Sequence, residues 1–257
     1  MTYCMADIHG CYDEFIRLLE RIKFSDTDEL YILGDIIHRG DAVMECIAHI
    51  KQAKNIRCLQ GNHEAMMLEY YGIELLEYAA RNNNASNKKD NSLFIKTAFE
   101  DIQPYPSLRF TDSADWLEFI NWVRDWPSLK IVTVNQKQFI LSHAGINPQK
   151  PISEQSLGDL HWSREEFFSS KGLPGYICIF GHTPTCTIRN DYNCAIWIDE
   201  KYRDKICIDC GCVFGGALAA LRLDDGAVFY EKSIGKRDYS SVMKIERDTD
   251  AVDFIIR

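Results

Sequence analysis

Residues able to bind metals and phosphate gather in five short segments of the 257-residue chain. They are Asp7-Ile8-His9-Gly10, Asp35 with His38 and Arg39, Asn62-His63-Glu64, His143-Ala144-Gly145 and His182-Thr183. Each follows an apolar run: "YCMA", "YILG", "CLQG", "FILS" and "CIFG". Five of the seven histidines stand at or beside these five ends. Charged and polar groups beside a core are costly unless paired or coordinated. Repetition of the pattern therefore points to one coordinated site.

The residue types specify its chemistry. Asp7 and His9, one residue apart, can chelate one cation, and Asp35 has lone pairs enough to bridge that cation to a second. Asn62, His143 and His182 complete the second set. Oxygen and imidazole donors without thiolate suit Mn²⁺, with Fe or Zn²⁺ as alternatives, better than Ca²⁺ or a structural zinc site. Two cations about 3.5–4 Å apart hold a bridging hydroxide and clamp two phosphate oxygens for in-line attack. His63, next to a ligand, is placed to protonate a departing alkoxide. Arg39 and Arg164 ("LHWSREEF"), with Asn62, are the candidate phosphate-binding groups.

Composition narrows the class. A formal charge of −9 disfavours non-specific binding to nucleic acid polymers or anionic membranes. The opening "MTYCMADIHG" lacks the pattern of a secretory signal, and the apolar run Gly211 to Leu221 is too short to span a bilayer. Ten cysteines scattered through apolar segments indicate buried thiols in a reducing cytoplasm. Cys207, Cys210 and Cys212 resemble half a zinc site, but strand alternation splits them between faces, which favours core packing.

The elements that must position these residues alternate along the first seventy residues: strand "TYCMAD", helix 11–23, strand "ELYILGD", a helix capped by Asp41, strand "NIRCLQGNH", then a third helix. Such alternation with short links means parallel strands and right-handed crossovers, with ligand sites at the strands' carboxyl ends. The tract 82–91 is polar and turn-rich. Residues 113–126 form a helix whose Trp116, Phe119, Ile120 and Val123 share one face, an aromatic stripe suited to core packing. Strands dominate from residue 130, and "LDDGAV" is a hairpin turn with Gly226 at the position needing positive φ. His49 and His161 are assigned structural places. One domain over 1–257 is expected, with a cap or insertion at about 72–127; that region is read equally well as a solvated excursion.

The ordered motifs "DIHG", "GDIIHRG", "GNHE", "HAG" and "GHT" resemble the phosphoprotein phosphatase family of binuclear metallophosphoesterases. "LHWSREEF" and "IDCGCVFGGALAALRL" are similar to its bacterial branch, which includes protein phosphatases and symmetrical diadenosine tetraphosphate hydrolases. The similarity covers most of the chain and is weakest over 72–127. It implies an α/β fold, an α/β/β/α sandwich of the calcineurin-like type, with two metals between the sheets. Pro184 in "GHTP" cannot ligate, which favours this branch over broader metallophosphoesterases.

His38 departs from the family. Its protein phosphatases usually carry aspartate there, hydrogen-bonded to the proton donor. A carboxylate raises its partner's pKa, and histidine supplies no such charge. His38 is therefore a modulator that shifts weight toward substrates with better leaving groups, or a harmless loop substitution. The expected function is a metal-dependent phosphatase acting on phosphoprotein without a covalent intermediate. The alternative is a symmetrical dinucleoside polyphosphate hydrolase. A non-catalytic phospho-binder is disfavoured, because every ligand is present.

Overall fold

The computed structural model describes residues 1–82, 108–110, 113–191 and 193–234. Most of the asparagine-rich tract, and much of the 72–127 segment, lie outside the described residues.

The opening alternation folds as three parallel strands. β1 (Thr2–Met5), α1 (Tyr12–Arg21), β2 (Glu29–Ile32), α2 (Val43–Gln52) and β3 (Ile56–Cys58) lead into α3 (Asn62–Asn82). β1 pairs with β2 from Thr2↔Glu29 to Met5↔Ile32, and β2 with β3 from Leu30↔Ile56 to Ile32↔Cys58. α4 (Ser113–Arg124) then returns the chain to an antiparallel pair, β4 (Leu129–Val134) and β5 (Lys137–Ser142). Two short helices, α5 (Leu157–Trp162) and α6 (Glu165–Ser169), precede β6 (Tyr176–Phe180). α7 (Thr185–Arg189), β7 (Trp197–Ile198), β8 (Lys205–Cys207), β9 (Ala217–Arg222) and β10 (Val228–Lys232) follow.

The strands form two five-stranded sheets, ordered β10-β9-β1-β2-β3 and β4-β5-β6-β8-β7. Side-chain alternation sorts the core into layers. Cys4, Ala6, Tyr31 and Leu33 of the first sheet meet Phe139, Leu141, Ile177 and Ile179 of the second. Tyr3, Met5, Leu30 and Ile32 face the opposite way, against Phe15 and Leu18 of α1 and Ile47 of α2. Ile140, Cys178 and Phe180 carry the outer face of the second sheet toward Leu160 and Phe167. The arrangement is the four-layer α/β/β/α sandwich expected from the sequence.

Local expectations fared unevenly. Gly226 takes φ 78° in the β9–β10 turn, and the α4 stripe is core: Trp116, Phe119 and Val123 are buried, with Trp116 edge-on to Tyr71 at 5.2 Å. Asp41 does not cap α2, whose N-cap is Ala42 with no side-chain cap bond. The reason is tertiary. Gly40 and Ala42 donate their N–H groups to the carbonyls of His9 and Gly10, which holds Asp41 in the preceding loop. No helix among the described residues is long and apolar enough to cross a membrane.

Candidate active site

The loops leaving β1, β2, β3, β5 and β6 converge where the two sheets meet. Backbone bonds knit the first two: His9 N–H donates to Asp35 O at 2.8 Å and Gly10 N–H to Ile36 O at 3.0 Å. Two further bonds join the sheets. His143 Nδ1 lies 2.9 Å from Leu33 O, and His182 N–H donates to Asp7 Oδ2 at 2.9 Å. This close approach demands glycine. A Cβ on Gly181 would lie 2.0 Å from Asp7 Oδ2, and one on Gly61 2.2 Å from Asp35 Oδ1. Asp7, His9, Asp35, Arg39 and His182 all adopt positive φ, between 45° and 77°. Such backbone is costly for non-glycine residues and concentrates at functional sites.

The six sequence-predicted ligands are all buried or nearly so and all brought together. Asp7, Asp35 and His143 place donor atoms within 4.8 Å of one another, as do His9, Asp35 and His63. Asn62 Oδ1 lies 2.8 Å from His143 Nε2 and 3.0 Å from His182 Nδ1. These contacts test whether cations fit. Because Nδ1 of His143 donates to Leu33 O, its Nε2 presents a lone pair to the amide oxygen of Asn62. The His9 ring is set likewise by Nδ1 on Ile37 O at 3.0 Å, and its Nε2, 3.4 Å from Asp35 Oδ2, accepts from Arg39 at 2.9 Å, a place that a cation would take over from the guanidinium. Opposed lone pairs in a buried cluster are the arrangement a cation satisfies.

The electrostatics agree. Burial raises the carboxyl pKa values of Asp7 and Asp35, helped by Asp209 and Asp35 on Asp7 and by Glu64 on Asp35. Burial pushes His9 and His143 down, and His182 to about 3. Crowded carboxylates beside neutral imidazoles are what divalent cations need as ligands.

The remaining candidates surround this cage. His63 lies edge-on to His9, ring centres 4.8 Å apart, with Nε2 3.8 Å from Asp35 Oδ2. Burial, then Arg39 and His38, lower its pKa to about 3. His38 stands beside it, Nδ1 to Nδ1 at 2.9 Å, and burial lowers its own pKa to about 4. Arg39 reaches His9 Nε2 at 2.9 Å and covers the Phe214 ring at 5.1 Å. Arg164 donates to Thr183 Oγ1 at 2.8 Å, next to His182. His49 packs edge-on to Phe15, while His161 is buried close enough to His143 and His182 to help lower their pKa values.

Two carboxylates have places that the sequence reading did not assign. Glu64 is fully buried and accepts the N–H groups of Asp35 and Gly61 at 2.8 Å, Ile36 at 2.9 Å and Ile37 at 3.3 Å. It braces the Asp35 loop from the first turn of α3. An acidic residue three places after a helix N-cap, reaching back to the cap's N–H, was the available signal. Asp209 lies beyond β8, accepts the Gly211 N–H at 2.9 Å, and has a pKa raised to about 7 by burial. Its only sequence signal was a carboxylate ending another apolar strand.

A cleft of about 950 Å³ opens beside His63, lined by His38, Arg39, Met44, Met66 and Arg109 among others. On the other flank, Trp162 is 48% exposed and edge-on to His182, ring centres 5.7 Å apart.

A family model for calcineurin-like phosphoesterases matches residues 2–214. Symmetrical bis(5'-nucleosyl)-tetraphosphatases of Salmonella paratyphi B and Salmonella typhimurium are each 31% identical over 187 residues, 71% of this chain. The match spans 56% of those relatives' own length, so this chain accounts for little more than half of them. A crystal structure provisionally described as a diadenosine tetraphosphatase superposes with a TM-score of 0.61 at 19% identity, covering 90% of this chain and 93% of that one. The fold, the order of the motifs and the matched residues agree, and the chain belongs to the calcineurin-like phosphoesterase family.

Proposed function

We propose that this protein is a divalent-metal-dependent hydrolase of dinucleoside polyphosphates, cutting a phosphoric anhydride symmetrically. The observation that carries the reading is the His38–His63 contact at 2.9 Å, an imidazole where a protein phosphatase would hold a carboxylate. Without a negative partner, His63 is a poor proton donor to an alkoxide. A nucleotide leaving group, already a stabilised anion, requires far less protonation than a serine side chain. The relatives named as symmetrical tetraphosphatases support the same order. Motif order alone had put phosphoprotein first, and that substrate class becomes the second reading, supported by the motifs shared with protein phosphatases.

In this reading Asp7, His9 and Asp35 hold one cation, and Asp35, Asn62, His143 and His182 the other. Mn²⁺ is the first choice for this oxygen and nitrogen set, with Fe or Zn²⁺ as alternatives. When bound, such a pair polarises phosphoryl oxygens and lowers the pKa of water for attack. Arg39 and Arg164, on opposite flanks, offer charge-assisted bonds to phosphate oxygens, and Asn62 adds an amide. His63 faces the leaving-group side. The 950 Å³ cleft is large enough for a nucleotide, and Arg109 gives it a second guanidinium. The Trp162 indole offers a face on which a base can stack.

Diadenosine tetraphosphate, phosphoserine peptide and p-nitrophenyl phosphate, each with Mn²⁺ and with chelator, separate the readings. Metal-dependent release of two ADP per dinucleotide at the highest kcat/KM is expected. Preferred turnover of the peptide would reinstate the phosphoprotein reading, and turnover of none would leave a phosphate-binding protein.

A further inference from the structure

A second group of donors lies on the helix side of the first sheet. Cys11, Glu14 and Cys212 place two sulfurs and a carboxylate oxygen within 4.8 Å of one another. Cys11 caps α1 and Glu14 stands one turn on, so both project from one helix face. Cys212 arrives from the far end of the chain, in a single 3-10 turn between Gly211 and Gly215. The Cys11 thiol, beside Cys212, joins burial in pushing the Cys212 thiol well up. Glu14 and Cys212 are 4% and 2% exposed, and Cys11 is half-buried.

Strand alternation splits Cys207 from Cys210 and Cys212, and the 3-10 turn that begins at Cys212 then parts it from Cys210. Cys207 belongs to the outer core of the second sheet and Cys210 to the core between the sheets. Cys212 faces a different layer, where an acid and a second thiol meet it. Glu14 Oε1 accepts the Ile234 N–H at 2.8 Å, which orients the carboxylate and leaves its other oxygen for a ligand. Among the described residues no lysine or arginine forms an ion pair with this buried carboxylate.

We propose that Cys11, Glu14 and Cys212 form a binding site for a thiophilic divalent cation, zinc by chemistry, separate from the oxygen- and nitrogen-lined cage. Zn–S bonds of about 2.3 Å and Zn–O bonds of about 2.0–2.2 Å in a tetrahedron put donor atoms less than 4.8 Å apart, the bound within which these three lie. Three protein ligands leave a fourth position open. It faces a cleft of about 530 Å³ lined by Cys11, Glu14, Val213 and Ser233, which supplies an entry path. The cation ties the start of α1 to the turn that holds Phe214 under Arg39. It therefore braces the cage from outside.

Cobalt titration of the Mn²⁺-loaded protein tests this. The cage contains no thiolate, so a near-ultraviolet sulfur-to-cobalt charge-transfer band reports on cysteine ligation alone. The band is expected to saturate at one cobalt per chain and to vanish in Cys11→Ala. In the isosteric Glu14→Gln its midpoint should shift by about 10–100-fold, at least the effect of losing an outer-shell partner. Cooperative melting by circular dichroism verifies that each variant is folded. No band in the parent protein overturns the proposal. So does a full band that persists in Cys11→Ala, which would place the metal on other thiols.

Discussion

Nδ1 of His38 and Nδ1 of His63 lie 2.9 Å apart, so one proton at most occupies the space between the two rings. A neutral His38 can orient His63 but stabilises its charged form far less than a carboxylate would. Replacing His38 by aspartate restores a negative partner and raises the His63 pKa. His38→Asp is expected to raise kcat on phosphoserine peptide by about tenfold, part of the ~10²–10⁴ that a positioned acid supplies. Turnover of diadenosine tetraphosphate should change little. Equal effects on both substrates would show that His38 does not set leaving-group preference.

Glu64 is the brace beneath Asp35, the proposed bridging ligand. Glu64→Gln removes its charge and turns an amide N–H₂ toward backbone N–H donors, leaving at least one of them unsatisfied at a cost of about 1–3 kcal/mol. The Asp35 loop should loosen. Mn²⁺ needed for half-maximal activity is expected to rise about 10–100-fold, as for other outer-shell losses, together with a lower Tm. An unchanged Mn²⁺ dependence would reduce Glu64 to a purely structural residue.

Trp162 and Arg109 should matter only for the nucleotide. If a base stacks on the indole, Trp162→Ala loses about 1–3 kcal/mol, a rise of roughly 5- to 150-fold in KM for diadenosine tetraphosphate. KM for phosphoserine peptide should hold steady. Arg109→Ala should act in the same direction and become less consequential at high salt, since an exposed guanidinium is screened. Loss on both substrates alike would place these residues outside the specificity surface.

His161 makes the protein sensitive to acid. Burial lowers its pKa to about 4, below the ordinary value of 6.5, and its Nε2 has no hydrogen-bond partner among the described residues. A depressed histidine is neutral in the fold. As pH falls below 6.5 the unfolded chain takes up the proton first, so the stability contributed above 6.5 drains away down to about pH 4. The span corresponds to about 3 kcal/mol for a fully buried ring. His161→Phe removes the titration, and its Tm should fall less steeply than the parent's between pH 6.5 and 4. Parallel Tm curves would assign the acid lability to other groups.

The parts of the site legible in the chain were those with local signatures. Asp7, His9, Asp35, Asn62, His143 and His182 each end an apolar run, and strand polarity puts such ends on one side of a sheet. Helix α1 and the Gly226 hairpin likewise follow from periodicity and turn chemistry. Asp41 misled, because a good cap residue was held by the neighbouring His9–Gly10 loop, a contact between distant segments. Glu64 was passed over because its partners Asp35, Ile36 and Ile37 lie a strand and a helix away.

The order and spacing of residues along the chain thus determined the layered α/β architecture, the six candidate cation ligands and the family, since these depend on local periodicity and on residue type. Only the folded structure decided that His38 meets His63, that Glu64 braces the Asp35 loop, and that Cys212 joins Cys11 and Glu14. Those pairings arise where two sheets and their loops close on one another. The geometry there is set by packing across the whole molecule, and no short stretch of chain encodes it.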